Sequence, residues 1–224
     1  MDYSTLQSRI LANFQNRSDL TTVIQNAISD VRREICYGKI NFVSGQMAQH
    51  RWTFCFRESN SQNTTAGLNY YSYKTGCIEL VGISISGSSL QKVEYDTWQR
   101  NFEGSTSTDQ PKIWIPLAST YKIAPTPDDI YTMTLHEYGF LTELSESADE
   151  YGLEAKYPET IIYRASEKIA QYLGEDNLLQ YFAAQAEQFI LTAIQSDMGI
   201  VRRKTMPRFR HWREASINSD DYYE

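Results

Sequence analysis

Cysteine is scarce in this sequence, and long apolar runs are missing. The three cysteines (Cys36, Cys55 and Cys77) form no C-x-x-C pair, so we expect reduced, buried thiols in a reducing compartment. No apolar run approaches the roughly 20 residues that span a bilayer. The first residues show neither a basic nor an apolar leader region, so we expect no secretory signal.

The usual signatures of catalysis and metal binding are missing as well. His136-Glu137 resembles half of the zinc-protease motif H-E-x-x-H, but the fourth residue after His136 is Phe140, and the run alternates like a strand. The sequence contains no G-x-S-x-G, no Walker loop and no G-x-G-x-x-G. Asp128-Asp129 suits a turn far better than a cation site. We therefore predict a protein that is not an enzyme and holds no metal or cofactor.

Charge is distributed unevenly along the chain. The formal net charge is -7, which argues against a general nucleic-acid binder. Residues 202–213 nevertheless hold six cations and no acid, which leaves -13 for the rest of the chain. The cations, with two bulky aromatic residues between them, are Arg202, Arg203, Lys204, Arg208, Phe209, Arg210, Trp212 and Arg213. Such a segment can bind phosphates, lie on an anionic membrane, or dock in a partner's groove.

Residues 5–38 are predicted to form two amphipathic helices, the second ending near Gly38. Apolar residues recur there at the spacing of one helical face. These positions are Leu6, Ile10, Phe14, Leu20, Ile24, Ala27, Ile28, Val31 and Ile35. We expect Arg32, Arg33 and Glu34 on the solvated or intersubunit face of the second helix.

Residues 50–138 are predicted to hold the strands. A strand over 51–57 places three aromatic residues on one side, and another strand covers 77–86. The segments 58–69 and 103–109 are polar and aperiodic, which predicts exposed loops.

The clearest alternation lies between residues 110 and 138, where consecutive antiparallel strands are predicted. Ile113, Ile115 and Leu117 alternate with Trp114 and Pro116. A period of two indicates one buried face and one wetter face. In the same way Tyr131, Met133 and Leu135 alternate with Thr132, Thr134 and His136. Prolines within 125–129 cannot donate to a sheet ladder, so this segment is a stiff corner or a sheet edge.

An acidic segment at 143–154, predicted as a loop, leads into two helices over 158–198. Pro158 suits the first turn of a helix, and Gly174 suits the end of one. The second helix is predicted to end near Gly199. The short connection between the helices makes them antiparallel neighbours.

The order of helices, strands and helices predicts the α+β class. We expect one domain over 1–199, in which helices from both termini form a bundle around an inserted small antiparallel β-sandwich or barrel. Apolar periodicity stops after Gly199, so residues 200–224 are predicted to form an extended arm.

The stretch that runs from the strands at 110–138 into the helix at Pro158 resembles the head-to-tail adaptor (connector) proteins of tailed bacteriophages. The resemblance covers about 91–198 and rests on the Ile-x-Pro-x-Pro-Asp-x-x-Tyr corner, a strand that ends in Tyr138, and the acidic linker into Tyr157-Pro158-Glu159. The helical beginning and the basic arm suit that family. Trp114 departs from it, since a tyrosine is expected after the prolyl turn.

The resemblance implies a virion protein of the phage neck, made in the host cytoplasm. It implies a ring, usually of twelve copies, that binds the portal protein above and tail or nozzle proteins below, with no membrane partner. Double-stranded DNA would pass through without sequence-specific binding during ejection. Family members insert a C-terminal arm into the portal, so the arm residues from Arg202 to Arg213 become the predicted docking element. Loops 58–69 and 103–109 are expected to face the tail.

Two other functions are also compatible with the sequence. The basic arm would also suit a nucleic-acid-binding protein. A carbohydrate- or receptor-binding module would use exposed aromatic residues, and the candidates are Trp52, Tyr70, Tyr71, Tyr73, Trp98 and Trp114.

Overall fold

The computed structural model describes residues 1–149 and 152–203. Helices come first, strands follow and helices close the chain, so the predicted α+β class is confirmed. The helices are α1 (Tyr3–Ala12), α2 (Thr21–Tyr37), α3 (Tyr95–Asn101), α4 (Gly152–Lys156), α5 (Pro158–Leu173) and α6 (Asp176–Arg203). The strands are β1 (Lys39–Asn41), β2 (Met47–Gln49), β3 (Phe56–Asn63), β4 (Tyr70–Ser72), β5 (Cys77–Ile85), β6 (Ser88–Ser89), β7 (Gln91–Lys92), β8 (Ile113–Pro116), β9 (Thr120–Ala124) and β10 (Thr132–Gly139).

Within the described residues, these strands pair as three open sheets rather than a closed barrel. A small hairpin joins β1 to β2. One four-stranded sheet has the order β3-β10-β5-β6, and the other has the order β4-β9-β8-β7. Pairing is antiparallel except for the short β7–β8 contact, which is parallel.

The stretch between 110 and 138 spans both large sheets. The strands β8 and β9 form the expected antiparallel hairpin, but β10 crosses into the other sheet and pairs with β5 and β3. The proline-containing segment 125–129 makes that crossing. The expectation that one face of β8 is wetter is wrong. Trp114 is fully buried between the sheets, and Ile115 packs on the other side against Trp98. Helix α3 covers the outer face, so both faces of β8 are buried.

The predicted boundary between strand and loop at residue 58 is also wrong. Residues Thr53–Cys55 form a turn of 3-10 helix, and β3 continues through Asn63. Its partner is β10, with Arg57 opposite Glu137 and Glu58 opposite His136. The polar segment 58–63 is a strand because β10 satisfies its backbone groups.

The predicted helix ends agree with the structure except at the last one. Gly38 and Gly174 follow α2 and α5 in the left-handed conformation that favours glycine, and Pro158 opens α5. Gly199 adopts no such conformation, and α6 runs through it to Arg203. The predicted helix end near Gly199 is therefore wrong by four residues.

Two hydrophobic cores hold the body together. Helices α1, α2, α5 and α6 share one core, and the two four-stranded sheets share another. Helix α5 lies at the centre of the helical core and is buried on nearly all sides. Cys36 and Cys55 are free thiols buried in this core, with their Sγ atoms 3.5 Å apart.

Candidate functional site

The predicted docking arm begins inside a helix. Arg202 and Arg203 belong to the last turn of α6. The other six predicted docking residues, Lys204, Arg208, Phe209, Arg210, Trp212 and Arg213, lie outside the described residues. The site that the structure does show is therefore the root of the arm and the contacts that fix it.

A buried aspartate fixes the end of α6 to the body through hydrogen bonds. Asp197 has no exposed surface, and its carboxylate faces the segment between β2 and β3. It accepts hydrogen bonds from the His50 ring Nε2 (2.9 Å), the Thr53 backbone N–H (3.0 Å) and the Thr53 hydroxyl (2.6 Å). We call Asp197, His50 and Thr53 the Asp197 clasp. It sets the position of the helix five residues before Arg202.

The Asp197 carboxyl stays ionised despite its burial. Burial by itself would raise its pKa, but the hydrogen bonds from His50 and Thr53 outweigh burial and hold the pKa below its ordinary value. A charged acceptor strengthens each of these bonds. The clasp is therefore a strong, directional link between α6 and the start of β3.

A second buried cluster joins α5 to α2 and β1. The Arg164 guanidinium donates to Glu34 (2.5 Å from Nη2), to both oxygens of Glu167 (2.6 and 2.8 Å) and to the Asn41 carbonyl (2.8 Å). Lys168 lies 3.2 Å from the same Glu34 carboxylate. Two acids and two cations thus meet where α5 packs against α2 and β1, with Arg164 and Glu167 buried and Lys168 partly exposed.

The acids in this cluster are not equivalent. Burial would lower the pKa of Arg164, but its bonds to Glu34 and then to Glu167 raise it, so the guanidinium stays charged. Burial raises the pKa of Glu167, and the opposing bond to Arg164 does not fully cancel that effect. Glu34 therefore serves as the principal counterion of Arg164.

A third buried pair corrects two predictions. Arg32, expected on a solvated face, is buried and donates through Nε to Glu154, which has no exposed surface. Its Nη2 donates to the Thr142 carbonyl at 2.7 Å. Glu154, expected in a loop, lies in α4. Each residue is a buried counterion for the other, and together they join α2 to α4.

Three loops meet at the end of the sheets that lies away from the helical core. The Gly67 N–H donates to the Pro127 carbonyl (2.8 Å), the Thr126 N–H to Ser107 (3.1 Å) and the Thr64 hydroxyl to Asp129 (2.9 Å). We call residues 64–68, 105–109 and 125–130 the loop cluster. It unites parts of the two predicted loops with the proline corner.

The aromatic residues proposed for glycan binding mostly lie in the cores. Trp52, Trp98, Trp114 and Tyr71 are buried, and of the six candidates only Tyr70 is largely exposed. Stacking on a sugar requires exposed rings, so these side chains offer no aromatic platform.

The described part of the chain shows neither a metal-binding cluster nor a membrane-spanning helix. No group of three or more His, Cys, Asp or Glu side chains there could hold a metal ion. None of the helices described is long and apolar enough to cross a membrane. His136 faces Ser84 (3.2 Å) and Glu58 (3.2 Å), which are contacts between neighbouring strands.

Comparison with known protein families gives a match over nearly the whole chain. The model of the SU10 adaptor protein family matches residues 1–211. This span contains every described residue and continues through Arg208 and Arg210 of the predicted arm. No curated protein matches the chain.

Proposed function

The chain belongs to the SU10 adaptor protein family, a family of phage head-to-tail adaptors, and from this we propose that it is a structural part of the virion neck. In this proposal the protein docks on the portal protein and continues the DNA channel toward the tail. The observation that carries the proposal is the family match over residues 1–211, which spans the body and half of the arm.

The distance between the root of the arm and the loop cluster supports a role that joins two partners. The arm root is held at the helical core, beside the start of β3. The strand β10 runs from the loop cluster to Tyr138, which packs against that core. Its eight residues cover about 25 Å at roughly 3.3 Å per residue. An arm directed to the portal and a loop cluster directed to tail or nozzle proteins would then lie on different ends of one body.

The charge distribution supports passage of DNA without retention. Once the six cations of residues 202–213 are set aside, the rest of the chain carries -13. An acidic lumen repels phosphates, so double-stranded DNA slides through it instead of binding. We propose a ring, of twelve copies as is usual for such adaptors, that encloses this lumen.

The finer architecture belongs to the same proposal. Helices from both termini share one core, and we propose that they form a bundle over residues 1–199 with the two large sheets inserted as a small sandwich. Residues 200–224 would then be the docking arm, with Phe209 and Trp212 as anchors between the cations. Buried aromatic anchors of this kind often contribute about 2 kcal/mol or more each to binding.

Removal of the arm tests the docking proposal. We would mix the full chain with portal rings and compare it with a variant that lacks residues 204–224, which keeps every described residue. A second variant, F209A/W212A, keeps all six cations. We expect the full chain to sediment with portals, the truncated chain to remain free, and the double variant to bind at least about 30-fold more weakly.

Each negative result would contradict a different part of the proposal. If the truncated chain still attaches to portals, the arm assignment is wrong. If the full chain ignores portals, portal docking is wrong. If it instead binds DNA with an affinity that falls steeply with salt and vanishes when the six cations are neutralised, the arm serves nucleic acid.

A further inference from the structure

Two of the three cysteines lie side by side in the helical core. Cys36 belongs to the last turn of α2, and Cys55 ends the turn of 3-10 helix before β3. They are 19 residues apart in the sequence, yet their Sγ atoms are 3.5 Å apart. A disulfide bond places two sulfur atoms about 2.0 Å apart, so a combined shift of about 1.5 Å joins them. The pair is close enough to be oxidised within the folded protein.

The two thiols differ in their readiness to react. The Cys55 S–H donates to Cys36, and this bond holds the pKa of Cys36 below its ordinary value despite burial. The Leu141 N–H and the positive charge of Arg32 act in the same direction. Donation of this bond, together with burial, raises the pKa of Cys55. Because the thiolate is the nucleophile, Cys36 reacts with an oxidant first and Cys55 completes the bond.

The third cysteine differs in both place and reactivity. Cys77 begins β5 and packs against the core between the two four-stranded sheets, whereas Cys36 and Cys55 lie in the helical core. Burial, and then a hydrogen bond with Glu137, raise the pKa of Cys77 to about 12. Cys77 is therefore a poor nucleophile and serves as an internal reference for the pair.

We propose that Cys36 and Cys55 are a site of disulfide formation, with hydrogen peroxide as the oxidant. The Cys36 thiolate attacks one peroxide oxygen, the O–O bond breaks, and the hydroxide that leaves takes up the proton that Cys36 had lost. The sulfur of Cys55 then attacks the sulfenic acid on Cys36, and the S–O bond breaks with release of water. Two thiols and one peroxide thus give one disulfide and two waters, and two electrons pass from sulfur to oxygen.

Burial of the pair selects a small oxidant. Cys36 and Cys55 are each 3% exposed, so a bulky disulfide such as oxidised glutathione has no path to either sulfur. Hydrogen peroxide is little larger than water, and both cysteines lie at the ends of helical segments, where local opening is easiest. The same burial keeps the two thiols out of exchange with the glutathione of a reducing cytoplasm.

The bond stabilises the part of the body that holds the arm. Thr53 begins the 3-10 turn that Cys55 ends, and its N–H and hydroxyl donate to Asp197 of α6. A disulfide therefore ties α2 covalently to the segment that positions the root of the arm. This consequence rests on the virion role proposed above, because a particle released from its host meets an oxidising medium without the host's reductants.

Peroxide treatment of the folded chain tests the bond. The variant C77A keeps only the pair, and C36A/C55A keeps only the third thiol. Circular dichroism first establishes that each variant folds, and C77A alone decides the linkage if the double variant does not. Each chain is treated with hydrogen peroxide or with oxidised glutathione. The remaining thiols are then alkylated in urea, and the peptides are mapped by mass spectrometry without reductant.

We expect peroxide to remove both alkylatable thiols of C77A, with a loss of about 2 Da and a direct link between the two peptides. This reaction should be at least about tenfold faster than that of Cys77 in C36A/C55A. The Tm of C77A should rise by about 6–12 °C, since the bond closes a loop of roughly 20 residues. The same treatment should leave the Tm of C36A/C55A unraised, which corrects for oxidation elsewhere.

Contrary results would overturn distinct steps. Two thiols that still alkylate after treatment, or oxidation of Cys36 without a link to Cys55, would overturn the disulfide site. A bond that leaves Tm unchanged or lower would overturn its stabilising effect. Equally fast oxidation by oxidised glutathione would overturn the argument from burial. None of these measurements involves the portal, so the adaptor role stands or fails separately, in the sedimentation experiment described above.

Discussion

Replacing Asp197 by asparagine removes the charge that fixes the end of α6 and keeps the shape of the side chain. The carboxylate accepts three hydrogen bonds, two from Thr53 and one from His50. An asparagine carbonyl can retain some of these bonds, but its NH₂ group then faces a donor. At least one buried donor therefore loses its acceptor.

The expected cost follows from the strength of bonds to a charged acceptor. Each such bond contributes about 1.5–3 kcal/mol, and an unsatisfied buried donor costs about 1–3 kcal/mol. These amounts do not add fully within one cluster. We expect D197N to lower the free energy of unfolding by about 3 kcal/mol at pH 7.

The pH dependence of this difference identifies the charge as its cause. The pKa of Asp197 is lower in the folded protein than its ordinary value, so ionisation stabilises the fold at pH values above the unfolded pKa of about 3.9. This stabilisation is lost as the pH falls through the folded pKa. The difference between the unmodified chain and D197N should therefore be constant above about pH 5 and shrink below pH 4.

Urea unfolding followed by circular dichroism measures both quantities. E187Q on the same helix is the matched control, since Glu187 is only partly buried, and we expect it to change stability by less than about 0.5 kcal/mol. A D197N cost equal to that of the control would refute the clasp. A cost that stays the same from pH 7 to pH 3 would refute the electrostatic explanation.

The other predictions concern a buried ion pair and a glycine. E154A leaves the Arg32 guanidinium buried without its main counterion and should lower the free energy of unfolding by about 3–5 kcal/mol. The double variant R32M/E154L should recover most of that loss. A loss below about 1 kcal/mol for E154A in urea unfolding would contradict this prediction. G38A and G174A both place alanine at φ +71°, which costs about 1–2 kcal/mol. G38A should lower Tm more than G174A. A Cβ added at Gly38 would lie 2.1 Å from the His50 carbonyl oxygen, whereas a Cβ added at Gly174 would meet nothing within 4 Å. Equal losses of Tm would contradict the close approach at Gly38.

The helices were predictable because their signals are local. Pro158 and Gly174 delimit α5 through backbone geometry that each residue imposes by itself. Gly199 shows the limit of the same rule. A glycine ends a helix only where the chain turns into the left-handed conformation, and the interior of α6 tolerates one at a cost of about 1 kcal/mol.

The strands were less predictable because their partners lie far away in the sequence. Residues 58–63 show no apolar alternation, and only the register with β10, more than 70 residues later, makes them a strand. One face of β8 was expected to be wetter, because no sequence pattern indicates that α3 covers it. In both cases tertiary packing overrides the local pattern.

The buried ions could not be predicted from the sequence. Arg32 and Glu154 are 122 residues apart, and nothing local marks either of them as buried. The same holds for Asp197 and His50. The scarcity of charge in α6 was visible in the sequence, where Glu187 is the single charged residue between Asn177 and Ser196.

The Arg164 cluster explains how α2 and α5 keep one position relative to each other. Apolar helix faces allow neighbouring helices to slide by a turn at modest cost, because hydrophobic contact has no direction. The Arg164 fork removes that freedom: its five N–H groups are all directed at Glu34, Glu167 and the Asn41 carbonyl. A shift of α2 along α5 would leave several of these donors buried without acceptors, at about 1–3 kcal/mol each. The cluster therefore holds α2 and α5 in one register.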